Sequence, residues 1–396
     1  MTARVATLTG TRAWQSSVSF DPVLLTAAGG LMLLGLVMVA SASLSIAETQ
    51  YGDAFYFLKR QGAFAVLGVL LCVAVTRIPI RFWQAAGFAS LLGALALLAV
   101  VLLPGVGHAV NGSTRWLSLG IFGLQVSEPA RLLILIYLCG YLVRHRESLH
   151  AFTAFVRPLI FVMLACALML AEPDFGAASV LLAASLCVMF AGGVRVRHFL
   201  LVFAVATLAL GAVALTSAYR VERLTGFLNP WADPYDSGFQ LTQSLIAIGR
   251  GEWFGVGLGA GVQKLFYLPE AHTDFLLAVL AEELGFAGVV VTIGLFTLLV
   301  WRAFSLSREA LSASAPFHAS LALALGCWLG IQGFINIGVN MGVLPTKGLT
   351  LPFLSYGGSS LLVTCIALGL LLRISHELVR GTGCRNRECA DRRLRP

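Results

Sequence analysis

The chain is dominated by about ten long apolar runs that are separated by short polar segments. A helix needs about 20 apolar residues to cross a bilayer, so runs of this length predict membrane spans. Apolar residues make up 58% of the 396 residues and charged residues only 12%. A soluble fold could not bury that much apolar surface, which excludes soluble, disordered and disulfide-stapled secreted proteins. The runs are continuous rather than alternating, which also argues against a membrane β-barrel.

The sequence therefore predicts an all-α, polytopic integral membrane protein with about ten transmembrane helices and a large outer loop between spans seven and eight. The runs cover residues 23–44, 61–76, 82–103, 128–143, 157–171, 176–191, 198–217, 274–301, 317–340 and 357–375. We expect a cytoplasmic N-terminal segment over residues 1–22, one transmembrane domain over 23–375 with its outer loop at about 218–273, and a basic cytoplasmic tail over 376–396.

The basic residues predict the orientation of the spans. If the N terminus is cytoplasmic, 18 of the 27 Lys and Arg residues fall on the cytoplasmic side and nine fall outside. Positive residues accumulate on the cytoplasmic side of membrane proteins, so we expect both termini to be cytoplasmic. The net charge of +8 then reflects topology rather than nucleic-acid binding.

The cysteines predict neither a disulfide nor a metal site. Six of the eight lie inside apolar runs, where cysteine acts as a small hydrophobe. Cys384 and Cys389 lie in the basic tail without further zinc ligands.

A cluster of titratable residues precedes the eighth apolar run. Lys264, Glu270, His272 and Asp274 lie within eleven positions of one another. One interpretation is structural, because Thr273 or Asp274 would be a suitable N-cap for the span. The other is catalytic, because a carboxylate held at a helix N terminus is oriented as a general base must be.

Two adjacent acids lie deeper in the same run. Glu282 and Glu283 would sit about 12–13 Å further along the helix, turned about 80° and 180° away from Asp274. Charges at that depth are costly unless paired or hydrated. We therefore expect partners of buried cations or the lining of a hydrated cavity, and we leave their roles open.

Further charges mark the outer ends of other spans. Lys59 and Arg60 open span two, Arg115 lies in the second outer loop, and Glu128 and Arg131 open span four. The last two are three residues apart, so they could simply pair within the helix. Cations near the outer leaflet oppose the usual inward bias, and an anionic, lipid-linked substrate would account for them.

Four outer segments are less specific. Residues 239–248 predict an amphipathic helix on the outer membrane surface. The glycine-rich residues 255–261 favour a turning loop over a backbone cradle for a lipid pyrophosphate. The last outer loop, residues 336–360, contains two prolines and many glycines, which is typical of irregular backbone lining a cavity. Residues 172–174 could be only a turn.

Four stretches resemble one family. Residues 52–61, 172–176, 264–275 and 336–360 are similar to the shape, elongation, division and sporulation (SEDS) proteins, the FtsW/RodA family. The resemblance runs from about Phe20 to Arg373, and residues 345–353 are closer to its division branch. It implies ten transmembrane helices with a large loop between spans seven and eight, in agreement with the apolar runs.

The resemblance also implies an activity. It points to a peptidoglycan glycosyltransferase of the bacterial cytoplasmic membrane at the division septum. Such an enzyme polymerises lipid II with inversion and releases undecaprenyl pyrophosphate. The essential aspartate of the family's His-Thr-Asp motif matches Asp274. The candidate substrate-binding residues are Lys59, Arg60, Arg115, Glu128, Arg131, Lys264, Glu270, His272, Lys347 and Ser355.

The implied partners are lipid II, the nascent glycan, an FtsI-like class B penicillin-binding transpeptidase and other division membrane proteins. No cofactor is certain. A divalent cation would suit a departing pyrophosphate, but no ligand cluster indicates one. Two other functions stay open from the residues: a lipid II flippase, because intramembrane charges suit a polar translocation path, and a noncatalytic division scaffold.

Overall fold

The computed structural model of the protein describes residues 21–110, 113–118, 120, 123–215, 221, 226–236 and 238–393. The first eight helices in this part of the chain are α1 (Pro22–Tyr51), α2 (Tyr56–Arg77), α3 (Ile80–Ala85), α4 (Gly87–Val101), α5 (Ser127–Arg144), α6 (Phe152–Ala171), α7 (Phe175–Ala191) and α8 (Val196–Leu215). The next four are α9 (Phe239–Gly251), α10 (Leu276–Ser312), α11 (Pro316–Asn340) and α12 (Gly358–Arg393). Almost all of the predicted N-terminal segment lies outside the described residues.

Each predicted apolar run coincides with a helix, the third with the pair α3 and α4. Within the described chain, seven helices are long and apolar enough to cross a membrane: α1, α2, α6, α8, α10, α11 and α12. Helices α4 and α7 are shorter and apolar, and α5 carries buried charges in its first turn. The prediction of an all-α polytopic protein is confirmed, and the ten expected spans match these helices.

A small antiparallel sheet between α4 and α5 was not predicted. Its strands are β1 (Gly107–Val110), β2 (Ser113–Ser118) and β3 (Gly123–Gln125), in the order β1-β2-β3. Such short strands are stabilised mainly by their cross-strand partners, which local sequence does not reveal. The backbone amide of Gln125 donates to Ser359 Oγ at 2.9 Å, which ties the sheet to the start of α12.

Helix α9 is confirmed, but its environment differs from the prediction. Its apolar face packs against α10 within the protein rather than lying free on the membrane surface. Leu241 and Ala247 are buried there. Gly251 allows the close approach, because a β-carbon at this position would overlap the carbonyl of Ala281.

Helix α10 is kinked at Gly285, where φ is 66°. The glycine-rich segment docks onto this kink by main-chain bonds. Val256 N donates to the Glu282 carbonyl at 2.9 Å, and Phe286 N donates to the Glu252 carbonyl at 2.9 Å. A β-carbon at Gly255 or Gly285 would overlap the opposing backbone. Gly255 and Gly285 are therefore needed for this close backbone packing, which agrees with the expected turning loop.

The opposite end of the helical bundle is closed by ion pairs. Asp21 caps α1 and pairs with Arg302 at 2.7 Å. Glu377 pairs with His318 at 2.8 Å and with Arg373 at 2.7 Å. Helix α12 continues beyond the expected boundary at residue 375 to Arg393, and Ser375, His376 and Leu378 are still buried.

Candidate active site

Asp274 lies half-buried in the turn that precedes α10. The helix begins at Leu276, and its N-cap residue is Phe275, whose side chain makes no capping bond. The carbonyl of Asp274 accepts hydrogen bonds from Asn336 Nδ2 at 2.9 Å and Asn340 Nδ2 at 3.0 Å. The expected N-cap at position 273 or 274 is therefore wrong, and the turn is held by α11 instead.

The segment between α11 and α12, residues 341–357, crosses this turn and is called the strap below. A β-carbon on Gly348 would lie 3.3 Å from Asp274 Oδ2, so the strap passes beside the carboxylate and leaves little room for a side chain at position 348. Lys347 Nζ lies 3.9 Å from the ring centroid of Phe175 at the start of α7. The amide of Tyr356 donates to the carbonyl of His272 at 3.0 Å. The strap thus brings the α7 start and the Asp274 turn together.

His272 and Glu270 face different surroundings. The His272 ring lies among Phe57 and Tyr356, with centroids 4.5 and 5.5 Å away. Burial lowers the pKa of His272, partly offset by Glu270, so the imidazole is neutral at pH 7. Glu270 is exposed and accepts the Thr273 hydroxyl at 2.7 Å.

The two cations of α2 lie at the same end of the protein. Lys59 is exposed and pairs with Asp53 at 2.7 Å. Arg60 is half-buried and donates to the Tyr56 hydroxyl at 2.9 Å. Its neighbour Gln61 donates to the carbonyl of Ser355 at 3.1 Å. The start of α2 is therefore attached to the strap.

Ser355 is buried, and its hydroxyl accepts the amide of Leu351 at 3.0 Å. In the structure this side chain holds a turn of the strap. Its predicted contact with substrate stays a prediction.

Glu128 and Arg131 form a buried ion pair in the first turn of α5. Arg131 also donates to Gln332 Oε1 at 2.9 Å and lies over the Trp328 ring. The intrahelical pair expected from their spacing is confirmed. The pair is also joined to α11, which the spacing did not indicate.

Arg115 on β2 approaches the turn between α6 and α7. One of its nitrogens lies 3.8 Å from Asp174 Oδ1. Asp174 also accepts from Ser127 Oγ at 2.8 Å and Gln125 Nε2 at 3.2 Å. Residues 172–174 are therefore more than a turn, because they join the sheet, α5 and α7.

Glu172 was not among the predicted site residues. It is fully buried, and neither carboxylate oxygen has a hydrogen-bond partner among the described residues. Burial, and after it the charge of Asp174, raise the pKa of Glu172 to about 8 against the opposing effect of Arg115. An acid between two apolar runs was the sequence signal that could have identified it.

Lys264 is nearly buried and lies against α1 and α10. Its ammonium is 2.5 Å from Glu283 Oε1 and 2.8 Å from Ser41 Oγ. Glu282 pairs with Arg250 at 3.6 Å and accepts the Val262 amide at 2.9 Å. The expectation of a buried cation as partner is confirmed for Glu283, whereas Arg250, the partner of Glu282, is 47% exposed. Phosphate binding by Lys264 stays a prediction, and in the structure its ammonium is paired with Glu283.

Sequence reasoning included Asn336 and Asn340 in a loop but gave them no role. Both lie in α11, with Gln332 one turn earlier. Their spacing of four residues puts three amides on one helix face, which was the available signal.

Within the described part of the chain, no group of three or more His, Cys, Asp and Glu side chains could hold a metal ion.

Comparison with known proteins identifies the family. The model of the FtsW/RodA/SpoVE cell cycle proteins matches residues 22–380. The chain belongs to the FtsW/RodA/SpoVE family. Family members of high identity include two proteins named probable peptidoglycan glycosyltransferase FtsW. The Thioalkalivibrio sulfidiphilus protein is 56% identical over 350 residues, 88% of each chain. The Nitrosococcus halophilus protein is 54% identical over 357 residues, 90% of this chain and 92% of its own.

Solved structures of family relatives share the fold. One is from a peptidoglycan synthase complex studied for its coordination of polymerization and crosslinking. It has a TM-score of 0.74 and 31% identity, and the match covers 91% of this chain and 98% of that one. The Thermus thermophilus rod shape determining protein RodA gives a TM-score of 0.65 at 29% identity, with the same coverage.

Proposed function

We propose that this protein is a peptidoglycan glycosyltransferase that polymerises lipid II into glycan strands during cell division. The observation that carries the proposal is the placement of Asp274. Its carboxylate lies between the start of α10 and Gly348 of the strap, half-exposed. Relatives with 56% and 54% identity are named as this enzyme, and the resemblance assigned the essential carboxylate to the same position.

The reaction requires one base and a stabilised leaving group. Asp274 accepts the proton of the acceptor 4-hydroxyl, and the oxygen attacks the anomeric carbon of the donor sugar from the opposite face. The bond from that carbon to the pyrophosphate breaks, the configuration inverts, and undecaprenyl pyrophosphate leaves with the electron pair. The lipid pyrophosphate is already activated, so no nucleotide is consumed.

Cations stabilise the departing pyrophosphate. Lys347 and Arg115 are the best placed, because both lie beside the α7 start that the strap contacts. Arg131 is paired with Glu128 and lies deeper. A preorganised positive charge near the leaving group stabilises the transition state more in a buried site than in water.

The protein acts in the cytoplasmic membrane at the septum, with Asp274 on the outer side and both termini in the cytoplasm. The excess of basic residues on the other side supports this orientation. Its partner is a class B penicillin-binding transpeptidase, as supported by the likeness to a chain from a polymerization and crosslinking complex.

The test is polymerisation of purified lipid II in detergent by the protein with its cognate transpeptidase. No leaflet has to be crossed in detergent, so glycan product separates a polymerase from a flippase. Transpeptidase inhibition by a β-lactam should leave the glycan strands uncrosslinked but still formed. Absence of glycan under these conditions, with transbilayer movement of lipid II in vesicles, would support the transporter instead.

A further inference from the structure

Helix α11 presents three buried amide side chains on one face, at Gln332, Asn336 and Asn340. None is more than 2% exposed. A buried amide is costly unless its donors and acceptor are paired, so the contacts of these side chains are constraints on the fold around them.

The two asparagines converge on Asp274. Asn336 Nδ2 donates to the carbonyls of Asp274 at 2.9 Å and Leu349 at 2.5 Å. Asn340 Nδ2 donates to the Asp274 carbonyl at 3.0 Å, and Asn340 Oδ1 accepts the amide of Ala278 at 3.1 Å. The side chain of Asn340 therefore supplies, from the neighbouring helix, the cap that α10 lacks.

These bonds fix both sides of the carboxylate. Both asparagine side chains bind the Asp274 carbonyl directly, which sets the position of the backbone from which the carboxylate extends. Leu349 follows Gly348, where an added β-carbon would lie 3.3 Å from Asp274 Oδ2. The side-chain amide of Asn336 thus links two stretches of backbone. One is that of Asp274, which carries the carboxylate, and the other is that of the strap beside it.

We propose that Asn336 and Asn340 are positioning residues that set the location of the Asp274 carboxylate for proton transfer. The inference rests on the proposed function. A general base must be within hydrogen-bond reach of its proton, and misplacement by about 1 Å can cost about a hundredfold in rate. Both asparagine side chains are at most 2% exposed, so we expect them to act on turnover and not on substrate binding.

Two variants separate positioning from simple folding. Asn340→Asp keeps an oxygen that accepts the Ala278 amide, and the N terminus of α10 favours a carboxylate there. The change removes the donor to the Asp274 carbonyl. Asn336→Leu keeps the branching at Cγ, with a larger volume, and removes both donors. Ser307→Ala is the matched control. Its hydroxyl donates across the same helix pair to the Ala319 carbonyl at 2.9 Å, at the opposite end from Asp274.

Rates of lipid II polymerisation should be measured for each variant in complex with the transpeptidase, at matched folded yield. We expect kcat to fall about 10- to 100-fold for Asn340→Asp and Asn336→Leu, with KM for lipid II within about twofold. Ser307→Ala should retain kcat. Amide hydrogen exchange without substrate should be faster over residues 274–280 in the two asparagine variants only.

Several outcomes would overturn the inference. Full activity of Asn340→Asp would make Asn340 a cap alone, and a raised KM with unchanged kcat would place the asparagines on the substrate. Unchanged exchange over residues 274–280 would show that they do not hold the turn. A wild-type complex that makes no glycan would instead remove the proposed function. In that case, faster exchange over residues 274–280 would show only that the asparagines hold the turn. Their role in catalysis would be lost together with the proposed function.

Discussion

Gly348 packs against the carboxylate of Asp274 so closely that a β-carbon on the glycine would lie 3.3 Å from Oδ2. The two residues are separated by all of α10 and α11 in the sequence. Their contact shows why the strap matters: it forms one wall of the Asp274 site. A side chain at position 348 would displace either the strap or the carboxylate.

Gly348→Ala should therefore lower activity without unfolding the protein. The added methyl forces a shift of a few tenths of an ångström, and we expect polymerisation to fall by about tenfold. Gly357→Ala in the same strap is the matched control, since its β-carbon would meet Thr350 Cγ2 at an ordinary 3.4 Å. Equal activity of the two variants would argue against the importance of this contact.

Asp274→Asn tests the base directly. The change keeps the size of the side chain and the backbone carbonyl that α11 holds, so folding should persist. Loss of basicity should reduce polymerisation by about a hundredfold or more. The measurement is the rate with lipid II at matched complex yield. Glu309→Gln, at the opposite end of α10, should be active, and comparable rates for the two variants would remove Asp274 from the mechanism.

Glu172 should make stability depend on pH. Burial raises its pKa in the folded protein to about 8, from 4.5 for a free glutamate side chain. The folded state therefore binds more protons than the unfolded state between these values, and stability falls as pH rises through that window. Glu172→Gln removes the titration. The stabilisation of this variant over wild type should grow from pH 5 to about pH 8 and then level off.

Melting temperatures of both proteins in detergent, from pH 5 to pH 9, give the comparison. His272 titrates in both proteins, so its contribution cancels in the difference. A difference that does not change with pH would mean that Glu172 is ionised in the folded state throughout.

The Lys264–Glu283 pair provides a test of what Lys264 does. Removing one partner of a buried ion pair leaves an uncompensated charge, so Lys264→Met should destabilise the protein by about 3–5 kcal/mol. The double change Lys264→Met with Glu283→Gln should recover much of that loss. If the stable double variant polymerises lipid II with a normal KM, Lys264 holds α10 and does not bind the pyrophosphate. A strongly raised KM would support the original prediction.

Cysteine labelling can establish orientation. In a cysteine-free background, Tyr235→Cys should react with a membrane-impermeant reagent from outside, because Tyr235 is 88% exposed at the Asp274 end. Ser312→Cys, exposed near the end of α10, should react only after the membrane is opened. The reverse pattern would invert the proposed topology.

The sequence alone determined the membrane fold, because a bilayer requires long apolar helices whatever their packing. It also identified the segment that contains Asp274 and the pairing of Glu128 with Arg131, since both depend on residues close together in the chain. It predicted the position of α9 but not its packing against α10, because either lipid or protein can cover an amphipathic face.

Only the tertiary structure decided which distant residues meet. Ser41 and Glu283 are 242 positions apart, yet the hydroxyl and carboxylate are 2.7 Å apart. Asn340 caps α10 from another helix, and Asp174 meets side chains from β2, β3 and α5. Such contacts depend on how helices pack against one another, and hydropathy sets the length of a helix but not its neighbours or its rotation.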